Sequence, residues 1–485
     1  MKMIKVLFLA SEADPLVKVG GLGDVAGSLP GALQQLPIEK SKGVQVDIRV
    51  IIPFHGVIRK KVEHPEFLFE FDVPSKSGIV KARAYQAVIN DVRIYLIAGE
   101  PIGDDAPVYS TDAALDGHKY IFFSKSILPF IERLGWIPDI LHANDWHTAI
   151  AVYQLKAARS SDPHFQNIKT ILTIHNLPFM GAGTDEAFDE YAIQPSKYSL
   201  VPWWGKKFPL CLGLQTADRI TTVSQTYAQE IMTPEYGCGL EKLLQTRKKV
   251  VSGIVNGLDE AAWDPFVDPK IPVNFDASTL EKRLQNKSAL QQEFGLPQQP
   301  NTPLFVLVSR MDQQKGVDLA VEGLEMAAKR KWQAILLGTG NPQLEDACRK
   351  LEKKHPNRIK AAIRFDAALS RRMYAGGDVL LMPSRYEPCG LAQMMAMRYG
   401  CIPLARATGG LQDTIVDVTQ NPDAGTGFLF KPATAEAFAE TVDRALDLYP
   451  QKKAWQAMQL RGMAQNFSWQ NSALQYLDLY LDLLK

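Results

Sequence analysis

Short apolar runs rich in β-branched residues alternate with longer helical patterns from one end of this chain to the other, and no other feature constrains its fold as tightly. Ile4–Leu9, Val46–Ile52, Val92–Ile97, Ile140–His142, Thr170–Ile174 and Ile220–Val223 are bounded by polar, Gly or Pro residues, which predicts strands buried on both faces. Lys119–Leu134 and Thr148–Arg159 carry helical spacing between them. Strand–helix alternation predicts parallel sheets with helices on both sides. The pattern breaks between Asn256 and Pro303, in the densest proline stretch of the chain. One helix is expected there, opened by a Ser278/Glu281 capping box, with Leu280, Leu284, Leu290 and Phe294 along one face and Gly295 and Pro297 as its stop. Alternation then restarts with Leu304–Val308, Ile335–Leu337, Val379–Met382, Ile402–Leu404 and Phe428–Phe430. The fold class is therefore α/β, two doubly wound domains joined near residue 258, and the amphipathic segment Trp469–Leu484 suits packing on either one.

Composition removes several functions. Fifty-four Lys and Arg against 53 Asp and Glu give a net charge of +1, so no global basic field draws the chain to nucleic acid or to an anionic membrane. No apolar run approaches the roughly 18 residues of a membrane span. Lys2 and Lys5 precede only the short run Val6–Ala10, less than a signal h-region of about 7–15 residues. Five cysteines without a C-x-x-C pair argue against a disulfide framework or a structural zinc, and a cytoplasmic setting is expected.

Three loops carry chemistry. Lys18-Val-Gly-Gly-Leu-Gly-Asp24 follows the first strand; its glycines let a backbone approach a ligand closely, and a helix beginning near Asp24 aims its positive end there. Gly21-x-Gly23-x-x-Ala26 imitates a dinucleotide fingerprint, but the nine residues Ser11–Val19 separate it from the strand, which disfavours a nicotinamide-dependent dehydrogenase. A solvated glycine turn is the plainer alternative. Ser309-Arg310-Met-Asp-Gln-Gln-Lys315-Gly316 sends a guanidinium and an ammonium off a strand end, a fork and a point charge suited to a diphosphate, though a solvated pair of charges fits equally. Pro383-Ser-Arg-Tyr-Glu387-Pro-Cys-Gly-Leu391 runs from a strand through a carboxylate-bearing turn into the helical stretch Ala392–Tyr399, an arrangement for anions and sugar hydroxyls, and Thr408-Gly-Gly-Leu411 follows the next strand. His142-Ala-Asn-Asp145-Trp-His147 lacks the further ligands a metal would need at helical spacing, and packed histidines are the expected state. No Asp-x-Asp pair is present to chelate a cation beside a nucleotide.

Taken in order, Lys18–Asp24, His142–His147, His175–Gly181, Tyr236–Leu240, Gly253–Asp259, Ser309–Gly316, Gly338–Gly340, Pro383–Leu391, Thr408–Asp413, Gly425–Phe428 and Phe467–Trp469 resemble the bacterial glycogen synthases and plant starch synthases, glycosyltransferase family five. The resemblance spans nearly the whole chain. It implies the GT-B fold, two Rossmann-like domains facing across a cleft: 1–258 on the acceptor side, 259–465 on the nucleotide-sugar side, and a C-terminal helix, 466–485, returning to the first. It implies glucose transfer from ADP-glucose, with UDP-glucose the competing donor, to the non-reducing end of an α-1,4-glucan with retention, and no metal or other cofactor. A fold-retaining glucan-binding protein without activity would need to lose one of Lys18, Arg310, Lys315 or Glu387, and all four are present.

Residue by residue, the resemblance implies that Lys18, Gly20 and Gly21 reach the donor phosphates and sugar, and that Arg310 and Lys315 neutralise the diphosphate. Glu387 would hold the donor glucose within a cradle completed by Cys389, Gly390 and Leu391, with Thr408 on the neighbouring loop. His175 would lie beside the anomeric centre and the 6-hydroxyl, and Asn256 near the donor sugar. Asp24, Tyr109 and Asp145 fall on the acceptor side. Departures are Val19 where many bacterial members carry threonine, Met395 where related retaining enzymes carry a second glutamate, and Phe365 where a tyrosine usually faces the adenine, which keeps stacking but loses a hydroxyl. Trp203 and Trp204 are expected as buried packing rather than glucan-stacking rings.

Overall fold

The computed structural model describes residues 2–62 and 64–485, which divide into two compact units. The first comprises residues 1–257 and 469–485, the second residues 258–468. The chain thus passes from one to the other at 257/258 and back at 468/469, against the expected 258/259 and 465/466.

Among its described residues the first unit holds β1 (Lys2–Leu9), β2 (Val44–Pro53), β3 (Glu66–Ser75), β4 (Gly78–Ile89), β5 (Val92–Gly99), β6 (Ile140–Asn144), β7 (Lys169–Ile174), β8 (Arg219–Thr222) and β9 (Val251–Gly253). They form one sheet in the order β3-β4-β5-β2-β1-β6-β7-β8-β9. From β5 across β2, β1, β6, β7 and β8 to β9 all neighbours pair in parallel, whereas β3 and β4 form an antiparallel hairpin on the edge, with β4 also antiparallel to β5. That hairpin departs from the all-parallel expectation. Its burial alternates along both strands, as an edge covered on one face requires, so it lacks the continuous apolar run that marked the others.

Central strand β1 shows why those runs are continuous. Leu7 and Leu9 join the core that holds Phe122, Phe123 and Ile150, while Val6 and Phe8 join the opposite core with Val25 and Leu29. The helix Trp469–Leu483 closes the second core with Trp469, Ala473, Leu477 and Tyr480. Tyr480 also reaches the sheet: its hydroxyl lies 2.8 Å from His142 Nδ1, whose Nε2 lies 2.7 Å from Thr173 Oγ1. His142 is thus a fully buried, doubly bonded core histidine, pushed down to about 3 by burial.

The second unit holds β10 (Leu304–Val308), β11 (Gln333–Gly338), β12 (Ile359–Ile363), β13 (Val379–Met382), β14 (Ile402–Arg406) and β15 (Phe428–Phe430), all parallel, in the order β12-β11-β10-β13-β14-β15. The proline-rich entry differs from expectation. The capping box is made by Asp276 and Thr279, not Ser278 and Glu281, and opens a 3-10 turn, Ala277–Lys282, kinked at Thr279 before the helix Arg283–Glu293. Of the expected face Leu280 and Leu290 are buried and Phe294 packs against the same core, whereas Leu284 is 52% exposed, and the buried face also carries Asn286, Lys287 and Gln291. Lys287 is stabilised there by Asp378 at 2.7 Å and the carbonyl of Thr302 at 2.6 Å. Among the described residues no helix is long and apolar enough to cross a membrane.

Removing the Tyr480 hydroxyl (Tyr480→Phe) leaves His142 short of a buried partner and should cost about 1–3 kcal/mol. Urea unfolding of the two proteins checks this; equal midpoints would mean the hydrogen bond contributes nothing.

Candidate active site

Both sheets gather their polar residues at the carboxyl edge where strand order reverses, the position at which open α/β sheets bind ligands. In the first unit β1 leads to β2 on one side and is flanked by β6 on the other. Residues following β1, β6 and β7 converge there.

Glu12, three residues past β1 and 1% exposed, organises the glycine loop. Its carboxylate accepts the backbone N–H of Val19 and, at 3.2 Å, that of Gly20. Tyr109 donates its hydroxyl to Glu12 at 3.1 Å and sits 2.8 Å from Ser11 Oγ. Burial raises the Glu12 carboxyl, opposed by those backbone donors, and raises the Tyr109 phenol far more. Lys18 pairs with Asp24 at 2.5 Å across the loop, and a Cβ added at Gly21, the first residue of the helix Gly21–Gln34, would meet nothing within 4 Å, so the backbone there is open to close approach. Sequence reasoning missed Glu12. Its only signal was an acid standing three residues past the apolar run that ends at Leu9.

Tyr109 is held from behind. Lys119 donates to the carbonyls of Pro107 and Val108, both at 2.8 Å, and to Asp116 at 2.7 Å, while Tyr120 donates to Val108 as well. These bonds fasten the loop before the helix Ala113–Leu134.

Asp145 follows β6 and caps the helix Trp146–Ala158 with φ 55° and ψ −172°, a backbone region costly for any residue with a side chain. The geometry aims its carboxylate at the turn after β7. Asp145 Oδ1 accepts the N–H of His175 at 2.7 Å, and the N–H of Asn176 also points at the carboxylate. Burial pushes the Asp145 carboxyl up to about 7 and the His175 imidazole down to about 3. His147 lies packed between Trp146, Tyr109 and Tyr120, and burial with the Lys119 charge holds it well below the ordinary range. Asn256 is 6% exposed, and its Oδ1 has no hydrogen-bond partner among the described residues. Among those residues no group of three or more His, Cys, Asp or Glu is arranged to hold a metal ion.

In the second unit the reversal lies between β10 and β13, so the two loops read separately in the sequence become neighbours. Lys315 Nζ lies 2.8 and 2.7 Å from the two oxygens of Glu387, and Ser384 Oγ donates to the second of them at 2.9 Å. Two glycines permit this approach. Gly316 adopts φ 65° and its Cβ would stand 2.1 Å from the Pro383 carbonyl oxygen; Gly409 adopts φ 44° and its Cβ would stand 1.9 Å from the Glu387 carbonyl oxygen. Arg385 clamps the loops further through both its terminal nitrogens to Asp318, at 2.8 and 2.6 Å. Gln393, wholly buried, donates to the carbonyls of Cys389 and Gly390 at 3.1 and 2.9 Å. Leu391 caps the helix Ala392–Arg398, and Thr408 caps Gly409–Thr414. Arg310 is the outlying member: 66% of its side chain is exposed, and it pairs with Asp312 at 2.8 Å. Phe365, just past β12, is 88% exposed. Asp318, Arg385 and Gln393 gave no signal in the sequence, because their roles depend on which strands are adjacent.

One expectation fails here. Trp203 is 84% exposed, whereas Trp204 packs against Phe208 and lies beneath Gly239. The 3-10 turn Trp203–Gly205 turns adjacent rings to opposite sides, so only one can be buried.

Two doubly wound units, the second with a cation–carboxylate pair at its switch point, define a GT-B glycosyltransferase. Residues 5–246 match the family model for the starch synthase catalytic domain, and residues 289–458 that for glycosyl transferases group 1. The chain is 39% identical to a glycogen synthase of Streptococcus gordonii, covering 99% of this chain and 100% of that one, and 38% identical to glycogen synthase 2 of Geobacter sulfurreducens, covering 98% of each. Its structure is similar to the catalytic domain of starch synthase IV from Arabidopsis thaliana bound to ADP and acarbose, with a TM-score of 0.85, 28% identity and all of both chains covered. A sucrose-phosphate synthase from Thermosynechococcus elongatus shares the fold, at a TM-score of 0.59 and 20% identity. The chain belongs to the glycogen synthase and starch synthase family, and it is a retaining hexosyltransferase that extends α-1,4-glucan chains from a nucleotide-sugar donor, ADP-glucose in this family.

Asp145 yields a prediction with a definite sign. Its folded pKa lies above the ordinary value, so between about pH 4 and about pH 7 the folded state holds a proton that the unfolded state has released. Its contribution to stability is therefore complete at low pH and lost as pH rises through 7. Asp145→Asn should remove that decline, so the stability difference between variant and wild type should grow with pH across this window. Denaturant midpoints at a series of pH values measure it; a difference independent of pH would contradict the burial of the carboxyl.

Proposed function

We propose that the second unit binds the donor through Arg310, Lys315, Phe365, Glu387, Cys389, Gly390, Leu391 and Thr408, and that Lys18, Gly20, Gly21, His175 and Asn256 of the first unit complete donor binding. The observation that carries this reading is the ion pair between Lys315 and Glu387. A lysine has three N–H donors, and two are directed at the carboxylate; the third remains for a phosphate oxygen. Glu387 is 4% exposed and already oriented, so it can take a sugar hydroxyl without reorganising. Exposed Arg310 supplies the guanidinium fork for the diphosphate, and the exposed ring of Phe365 offers a face for a base to stack on.

In the transfer, the bond from the anomeric carbon to the β-phosphate oxygen breaks and its electron pair leaves with ADP. The acceptor 4-hydroxyl bonds to the anomeric carbon on the same face, and its proton passes to the departing phosphate. No side chain is assigned as a nucleophile, which favours front-face substitution over a glycosyl-enzyme. Lys315 and Arg310 stabilise the charge that develops on the leaving group and take the role that a divalent cation plays elsewhere. Asp24, Tyr109 and Asp145 are assigned to the acceptor side. The setting is cytoplasmic, in keeping with the bacterial relatives.

Initial rates of glucose transfer to glycogen, from ADP-glucose and from UDP-glucose with chelator and no added metal, test the assignment. ADP-glucose should be the better donor and chelator should have no effect. Comparable rates with UDP-glucose would mean that Phe365 does not select adenine, and a metal requirement would overturn the role given to the cations. Glu387→Gln should lower kcat roughly 10²–10³-fold, the size of effect expected for one preorganised polar group. Near-normal turnover would displace the sugar from Glu387. Gly316→Ala, which drives a methyl into the Pro383 carbonyl, should separate Lys315 from Glu387 and lower kcat at least tenfold while Lys315 itself is untouched.

A further inference from the structure

The family resemblance places His175 near the reacting carbon without saying which of its nitrogens carries the proton. The hydrogen bonds around Asn144 fix it. Asn144 ends β6, is wholly buried, and its backbone is tied at both polar groups to Thr148 Oγ1, at 2.7 Å from the N–H and 2.8 Å from the carbonyl. One end of its side-chain amide lies 2.8 Å from the carbonyl oxygen of Leu9, at the end of β1. A carbonyl can only accept, so that end must be the NH2. The other end is then the oxygen, and it lies 2.9 Å from His175 Nε2. An amide oxygen likewise only accepts, so Nε2 must be the protonated nitrogen.

We infer that Asn144 is a positioning residue that holds His175 in its Nε2–H tautomer, so that Nδ1 is presented to substrate as a bare hydrogen-bond acceptor.

The surroundings keep the ring in that state. His175 is half-buried, and Nδ1 makes no hydrogen bond among the described residues. The ionisable groups around it come from β6 and from the helix that follows. His142 and His147 are each depressed in part by the His175 ring, and the Asp145 carboxyl, itself raised by burial, accepts the His175 backbone N–H. With burial holding the imidazole itself far below neutrality, one proton remains on the ring and Asn144 decides where it sits.

The consequence is a chemical selection. A neutral histidine with Nδ1 free accepts from a hydroxyl and repels a phosphate oxygen, so it reads the sugar and not the diphosphate. This rests on the reading of the site as a glycosyltransferase centre, and it is tested separately from it. The device spans three strands: Leu9 on β1 orients Asn144 on β6, which orients the residue after β7. Asn144 ends β6, which lies between β1 and β7 beside the switch point, so its side chain can meet both the end of β1 and the loop after β7.

Imidazole nitrogen NMR on the [15N]histidine-labelled wild-type protein tests the tautomer directly and needs no activity. His175, assigned by the signal lost in His175→Asn, should show protonated Nε2 and unprotonated Nδ1, unchanged from about pH 5 to about pH 8. An Nδ1–H tautomer, or titration in that window, overturns the inference whatever the enzyme transfers. Asn144→Asp gives the second readout. A carboxylate opposite Nε2 favours the imidazolium, so His175 should titrate within the window and kcat should acquire a new acid limb following it, with at least a tenfold loss where the ring is protonated. Loss of activity equal at every pH, with His175 still neutral, would reduce Asn144 to a packing residue and refute the positioning role.

Discussion

A parallel strand buried on both faces has no room along its length for a polar side chain without a partner, and this constraint arranges everything else in the protein. Strands β10 and β13 are wholly apolar, and the buried polar side chains that β6 and β7 carry, His142, Asn144 and Thr173, are each hydrogen-bonded, so polar groups without a fixed partner are displaced to the loops that leave the carboxyl ends. Where strand order reverses, two such loops diverge and leave an opening. Glu12, Asp145 and His175 occupy that position in the first unit, and Lys315 and Glu387 occupy it in the second. The chemistry of the family is held where the packing rules leave space for it.

Preorganisation in each unit has a recognisable physical source. In the second unit it is close backbone approach: glycines 316 and 409 lie where a side chain would collide with a carbonyl, and the loops they join carry the cation and the carboxylate. The first unit relies on buried carboxylates that accept backbone N–H groups, Glu12 from the glycine loop and Asp145 from the turn after β7. The strained backbone of Asp145 persists because two amides on another strand's loop compensate it. Each arrangement fixes geometry before a substrate arrives, which is how an enzyme avoids reorganisation during transfer.

The buried polar network of the first unit extends well behind the reactive groups. Lys119, Asp116 and Tyr120 fasten the segment bearing Tyr109, Tyr109 meets Glu12, and Glu12 holds the loop of Lys18. A chain of bonds therefore joins the residue assigned to the acceptor side to the loop assigned to the donor. In a low-dielectric interior such a network is unforgiving, because every member left without its partner costs its full desolvation.

Much was legible in the amino-acid order itself. Periodicity gave both doubly wound units, because burial on two faces writes a continuous apolar run, and the glycine-bearing loops with their lysines and glutamate stood directly after those runs. The β3–β4 hairpin was not legible, since its one-sided burial writes a weaker, alternating pattern. Nor was the cap at Asp276, because a sequence offers several acids and hydroxyls and only backbone geometry selects one. Trp203 was misread for a related reason: adjacent tryptophans look alike as letters, but a tight turn sends them to opposite sides. The local order of residues thus determined which elements form and which loops bear charge. Tertiary structure alone decided that Lys315 meets Glu387, that Tyr109 meets Glu12, and that Asn144 holds His175, because each pairing joins residues far apart in the chain that only the folded arrangement brings within hydrogen-bond reach.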